Sequence, residues 1–154
     1  MFAEHDVERV YHAIVLGSPR ARAGTLESRL RERPDGIMES VRRGGSRAVT
    51  HYETIADHGS WSVVACQLET GRRNQIRVQF ADIGHAIAGD RKYGHRNARF
   101  RSIRAPRTML HATGIAFTHP ITGARIEVLA KFPQDFRAFL GNELCDHLDP
   151  SAGA

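Results

Sequence analysis

The chain has 154 residues and a mass of 17.2 kDa, and 22 Lys and Arg against 17 Asp and Glu leave it at +5 with histidine neutral. That length confines it to one small domain or part of one, and 41% hydrophobic with 25% charged residues excludes a wholly disordered chain. The longest apolar runs, 13–16 and 63–66, fall far short of the roughly 20 residues a bilayer demands, and the start has no basic-then-apolar leader, so a cytosolic protein without a membrane span is expected.

Residues 9–16 are rich in β-branched and aromatic side chains and close on Gly17-Ser18-Pro19, which reads as a strand and its turn. Residues 20–46 are Arg-rich and broken by Gly24, Pro34, Gly36, Gly44 and Gly45, which predicts loop with one or two short strands. Two β-rich runs, 47–58 and 60–69, meet at His58-Gly59-Ser60, and the second alternates Trp61, Val63, Ala65, Gln67 against Val64, Cys66, Leu68. That pattern predicts a hairpin.

After Thr70-Gly71 the period lengthens, with Ile76, Phe80 and Ile83 at i, i+4 and i+7 predicting a short amphipathic helix that stops at Gly84. Arg73 and Arg77 share a stripe near its start, where the helix dipole favours anions. They are expected to face a phosphate, a carboxylate or a nucleotide edge, and a surface carboxylate such as Glu69 serves equally well. Residues 85–95 carry Gly-Asp and Tyr-Gly turns and read as an ordered loop, and 96–108 as an exposed, Arg-dense connection. A second hairpin is predicted from 110–117 and 125–130, and a closing helix over 134–144 after Pro133. Residues 1–148 then form one domain and 149–154 a fraying tail.

Cys66 and Cys145 lie far apart with no Cys-x-x-Cys companion, which excludes a disulfide framework or zinc ribbon; the favoured reading of Cys66, inside an apolar run, is a buried free thiol. The nine histidines show no zinc-helix spacing, no serine sits in a nucleophile elbow, and phosphate-loop and dinucleotide fingerprints are absent. No metal or cofactor is expected.

Of the 22 cations 20 are Arg, a bias that suits forked phosphate contacts and also follows from genomic base composition. Residues 71–107 hold ten cations against Asp82 and Asp90, so this segment carries +8 and the rest of the chain −3. A basic block in a slightly acidic chain is the footprint of a polyanion binder, the bland alternative being a solvated Arg-rich loop.

Three ordered pieces are specific: Val-Glu-Arg-Val-Tyr-His-Ala-Ile-Val-Leu-Gly at 7–17, Leu-Glu-Thr-Gly-Arg-Arg-Asn-Gln-Ile-Arg-Val-Gln-Phe at 68–80, and Ile-Gly-His-Ala-Ile-Ala-Gly-Asp-Arg-Lys-Tyr-Gly at 83–94. Together with Leu-His-Ala-Thr-Gly-Ile-Ala-Phe-Thr-His-Pro-Ile-Thr-Gly at 110–123 they closely resemble the RluA-type RNA pseudouridine synthase family, over roughly 7–139. The resemblance implies an α+β fold, a mixed and largely antiparallel sheet with flanking helices. It also implies isomerisation of uridine to pseudouridine in ribosomal or transfer RNA, without metal or cofactor. By it Tyr11 matches the tyrosine that stacks on the flipped base, although an isolated strand tyrosine is more often sheet packing. Arg77 matches the arginine that pairs with the catalytic aspartate. RNA contacts are expected from Arg72, Arg73, Asn74, Gln75, His85, Arg91, Lys92 and Arg96.

Two departures, Asn74 for the family histidine and Ala86 for its proline, read as tolerable, since Asn can still donate and accept hydrogen bonds. The third is larger, because the family's aspartate lies in an H-R-L-D-x-x-T-S-G-like motif tens of residues before the tyrosine, and only ten residues precede Tyr11. Asp6 lacks that setting, and Asp57, Asp82, Asp90 and Asp149 lack it too. The expectation is the C-terminal part of a synthase catalytic domain, inactive alone, with the nucleophile in a missing N-terminal segment. The alternatives are a non-catalytic RNA-binding module, or one half of a split synthase whose partner chain supplies the aspartate. An edge exposed by truncation would favour dimers.

Overall fold

The computed structural model describes residues 7–149, and their backbone forms one seven-stranded sheet with three helices. In chain order come β1 (Val7–Leu16), β2 (Ala23–Glu32), β3 (Met38–Ser40), β4 (Ser46–Asp57), β5 (Trp61–Leu68), α1 (Gln75–Asp82), β6 (Leu110–Thr118), β7 (Arg125–Leu129), α2 (Gln134–Leu140) and α3 (Asn142–Leu148). The strands lie in the order β3-β2-β4-β5-β1-β6-β7, and every pairing between them is antiparallel. The α+β class and the two predicted hairpins are therefore present, while no parallel pair occurs among the described strands.

Two expectations need correcting. Residues 20–46 hold a full ten-residue strand, β2, rather than short pieces in loop. Its inward positions are Gly24, Leu26, Ser28 and Leu30 and its outward ones Thr25, Glu27, Arg29 and Arg31, so the period of 2 is carried by weakly β-forming residues. The closing helix is two helices, because Gly141 adopts φ 81°, ψ 153°, a conformation essentially confined to glycine that ends α2 and starts α3. At the chain's end Asp149 is buried and ion-paired to Arg137, with Arg137 Nη2 3.3 Å from Asp149 Oδ2; residues 150–154 of the expected tail, like Asp6, lie outside the described residues.

Period 2 along β1 sorts its side chains onto two faces. Tyr11 is in register with Cys66, which is in register with Tyr52, whose ring meets Phe80 of α1 edge-on at 5.5 Å. Tyr11 thus lies on the face that α1 covers. His12 points to the opposite face, where its ring meets Phe132 at 5.1 Å and Trp61 meets Phe139 of α2. The main core runs through the sheet, with Ile14, Leu16, Val63 and Val64 packed between Ile76 and Phe80 on one side and Phe132 and Phe136 on the other. At the end of β1, Leu16 N donates to Ala86 O and Ala88 N to Ile14 O, tying the expected 85–95 loop to the central strand.

The helix α1 is bolted to the sheet by two buried glutamines one turn apart. Gln79 Nε2 donates to Ala48 O, Leu26 O and Ser28 Oγ while its Oε1 accepts from Thr50 Oγ1 at 2.6 Å. Gln75 Nε2 donates to Val49 O and Thr50 Oγ1. A buried amide left unpaired costs about 1–3 kcal/mol, so these bonds fix both the height and the rotation of the helix. Ile83, expected on the apolar stripe, is the residue after the helix and is 42% exposed.

Candidate active site

Gln75 and Gln79 turn the apolar pair Ile76 and Phe80 into the sheet and leave Arg77 on the outer flank of α1. There Arg77 meets Asp90, a fully buried carboxylate from the 85–95 loop, through two bonds of 2.8 Å, Nε to Oδ2 and Nη2 to Oδ1. Asp90 Oδ1 also accepts from the backbone N–H groups of Lys92 and Tyr93, so the carboxylate caps its own turn while it grips the guanidinium. The hydrogen bond to Asp90 pushes the Arg77 pKa further up. The anion that Arg77 needed is thus an internal aspartate, Asp90, and not Glu69.

Asn74 sits just before the helix in the left-handed conformation, φ 55°, which Asn tolerates better than other side chains with a Cβ. Its side chain does not cap the helix. Instead Asn74 Oδ1 accepts from Arg77 Nη1 at 3.1 Å and its Nδ2 donates to the Tyr93 hydroxyl at 3.2 Å. Tyr93 completes the group, its hydroxyl accepting from Met38 N and its ring lying 5.0 Å from the Arg77 guanidinium carbon. Three of the five Arg77 N–H groups are engaged by these bonds. The two remaining lie one on Nη1 and one on Nη2.

Tyr11 is half-buried on the same sheet face, between Cys66 and Ala112 in register, and its hydroxyl has no hydrogen-bond partner among the described residues. Two residues before it on that face, Arg9 lies against the backbone at Gly71, so close that a Cβ there would stand 2.4 Å from Arg9 Nη1. Burial alone pushes the Cys66 thiol up to about 12, which makes it an inert wall of this face; both cysteines are free and buried.

Besides Asn74, which is held between Arg77 and Tyr93, the residues expected to contact RNA fall into three settings. Gln75 is inside, its Oε1 accepting from Thr70 Oγ1 and Arg72 N, and it serves as a strut. Arg72, Arg73 and His85 are tied locally: Arg72 Nε donates to Arg47 O, Arg73 pairs with Glu32 and His85 Nδ1 donates to Leu16 O. Glu69, the carboxylate first considered for the helix start, holds Arg47 and His51, and the hydrogen bond from Arg47 keeps its carboxyl below the usual range. Arg91, Lys92 and Arg96 are exposed, with Arg91 next to Asp90 in sequence and Lys92 5.7 Å from the Tyr93 ring centre. Among the described residues no group of three or more His, Cys, Asp or Glu side chains is assembled to hold a metal ion, and no helix is long and apolar enough to cross a membrane.

Sequence reasoning missed Arg9, Tyr93 and the pairing of Asp90. Period 2 from Tyr11 pointed to Arg9. Charge pointed to Asp90, the one acid between Asp82 and Glu127 among many cations.

Comparison with known proteins agrees with this architecture. The model of a family described as RNA pseudouridylate synthase matches residues 1–82. The chain is 38% identical over 144 residues to the ribosomal large subunit pseudouridine synthase D of Zymomonas mobilis, covering 88% of this chain and 45% of the relative. It is also 38% identical over 137 residues to an uncharacterized RNA pseudouridine synthase of Bacillus subtilis, with 88% and 44% covered. The chain spans about half the length of the curated relatives it matches. Among solved structures, human RNA pseudouridylate synthase domain containing 1 superposes with a TM-score of 0.72 at 24% identity over 98% of this chain and 67% of the other, a likeness of fold.

Proposed function

Since the chain belongs to the RNA pseudouridylate synthase family, we propose that it supplies the base-stacking and anion-holding side of a site that isomerises uridine to pseudouridine in ribosomal or transfer RNA in the cytoplasm. The nucleophilic aspartate of that site is proposed to come from outside the residues of this chain. Pseudouridine is an isomer of uridine, so the reaction breaks the N1–C1′ bond, forms C5–C1′, releases the C5 proton and returns a proton to N1.

In this reading Tyr11 stacks on the flipped uracil and assists removal of the C5 proton. Arg77 holds the incoming carboxylate ionised by end-on contact through its two unused N–H groups, while Asp90 keeps the fork oriented. The observation that carries the reading is this side-on grip of Arg77 by a fully buried carboxylate, which with the Asn74 bond leaves one N–H on Nη1 and one on Nη2 uncommitted. The supply of the nucleophile from elsewhere is supported by the burial of Asp90, which is fully enclosed and held by Arg77 and two backbone N–H groups and so is closed to a ribose carbon.

RNA labelled with tritium at uridine C5 tests this directly. The chain alone is expected to bind such RNA and release no tritium, and release should appear when a polypeptide bearing the aspartate motif is added. Release by the pure chain alone would overturn the claim of an external nucleophile. Binding that never yields release, with any such addition, would favour a non-catalytic RNA-binding module instead.

A further inference from the structure

From Arg91 to Ile126 the sequence contains no acidic residue, yet it holds Arg91, Lys92, Arg96, Arg99, Arg101, Arg104, Arg107 and Arg125. Arg107 is matched to Asp135 and Arg125 to Glu8. Arg91, Arg101 and Arg104 are exposed, have no ion-pair partner among the described residues, and line one cleft of about 540 Å³ floored by Phe100 and Ile103. Three guanidinium groups around one opening repel each other, and an anion in the cleft removes that repulsion.

The cleft is held in shape. Phe100, Ile103 and Ala105 pack against the main core, and Asn97 Nδ2 donates to Gly84 O at 2.8 Å. Gly89 has φ 76°, and a Cβ there would lie 1.9 Å from Arg107 O, so the absence of a side chain lets the 105–107 backbone settle directly on the loop that carries Asp90. The backbone that carries the three cations is thus held in place in advance, which lowers the ordering cost of binding a chain of phosphates. Its wall at Arg91 is one residue from Asp90, the partner of Arg77.

We propose that this cleft grips the sugar–phosphate backbone of the RNA strand next to the nucleotide presented to Tyr11 and Arg77, through Arg91, Arg101 and Arg104. The proposal rests on the RNA reading above. Each phosphate neutralised on a single strand contributes about 0.7 to the slope of log affinity against log salt, so removing three contacts lowers the slope by about 2.

The test is anisotropy of a fluorescein-labelled single-stranded RNA titrated with this chain from 50 to 300 mM KCl. The combined variant Arg91→Gln, Arg101→Gln and Arg104→Gln is set beside a control, Arg31→Gln with Arg125→Gln, whose cations pair with Glu39 and Glu8. The expected result is a slope smaller by about 2 in the triple variant and unchanged in the control, with matching thermal melts. Alanine replacements at the three positions provide a second version should glutamine alter folding. Parent binding with a steep slope that the triple variant keeps would overturn the cleft and leave the RNA reading intact. No binding by the parent at 50 mM salt would overturn both.

Discussion

Arg77 and Asp90 show how one residue pair ties a loop to a helix, since the carboxylate holds both the guanidinium and its own turn. Asp90 is fully buried, and removal of its partner strands a charge, so Arg77→Met is expected to destabilise by about 3 kcal/mol or more. Arg77→Met combined with Asp90→Asn removes the charge from both sides and should recover most of that loss. Urea unfolding of the two single variants and the double checks this, and strictly additive effects would show that the pair is not coupled. His12, on the opposite face, gives a pH signature. Burial first and the neighbouring His111 second lower its pKa from 6.5 to about 4. The folded protein therefore keeps His12 neutral while the unfolded chain takes up a proton below pH 6.5, so its contribution is present above that value and is lost as pH falls toward 4. Between pH 7 and pH 4.5 the stability of the parent should drop by about 2–3 kcal/mol more than that of His12→Gln, read from urea midpoints at both values.

At the scale of elements, the 85–95 loop leaves no room for a side chain at Gly89 where the chain returns at 105–107. Gly89→Ala combines a positive φ with a Cβ overlapping Arg107 O, and is expected to cost more than about 2 kcal/mol and to lift this segment away. Hydrogen exchange should quicken at Met109 and Ala88, whose amides bond to Ala88 O and Ile14 O. Normal protection there would show that the loop accommodates the side chain. The elements legible in the sequence were those whose alternation is written in Val, Ile, Trp and Phe, such as β1, β5 and β6. β2 was hidden because glycine and serine fill two of its inward places and charged groups its outward ones. The break at Gly141 was hidden because helical periodicity continues past it from Phe136 to Cys145. In the candidate site, Tyr11 and Arg77 are singled out by likeness of short motifs. The grip of Asp90 on Arg77 is not, since it joins residues 13 apart through a loop with no period to read.

At the scale of the whole molecule, the sheet is open at both ends. The edge strand β7 presents Val128 at 53% and Leu129 at 43% exposure beside Ile115 of β6 at 39%. An apolar edge of this kind pairs readily with a further strand, whether from a longer polypeptide or from a second copy. The position of β1 has a different consequence, one of time. It is the first strand in chain order but lies inside the sheet, with β5 on one side and β6 on the other, and Ala13 finds its β6 partner only at Leu110. At about 5–20 residues per second a ribosome needs roughly 5–20 s to deliver that partner. Once β5 is complete at Leu68, and until Leu110 emerges, the half-sheet β2-β4-β5-β1 presents β1, whose residues 13–16 are fully buried in the finished fold, as a bare margin, and the nascent chain depends on whatever shields it.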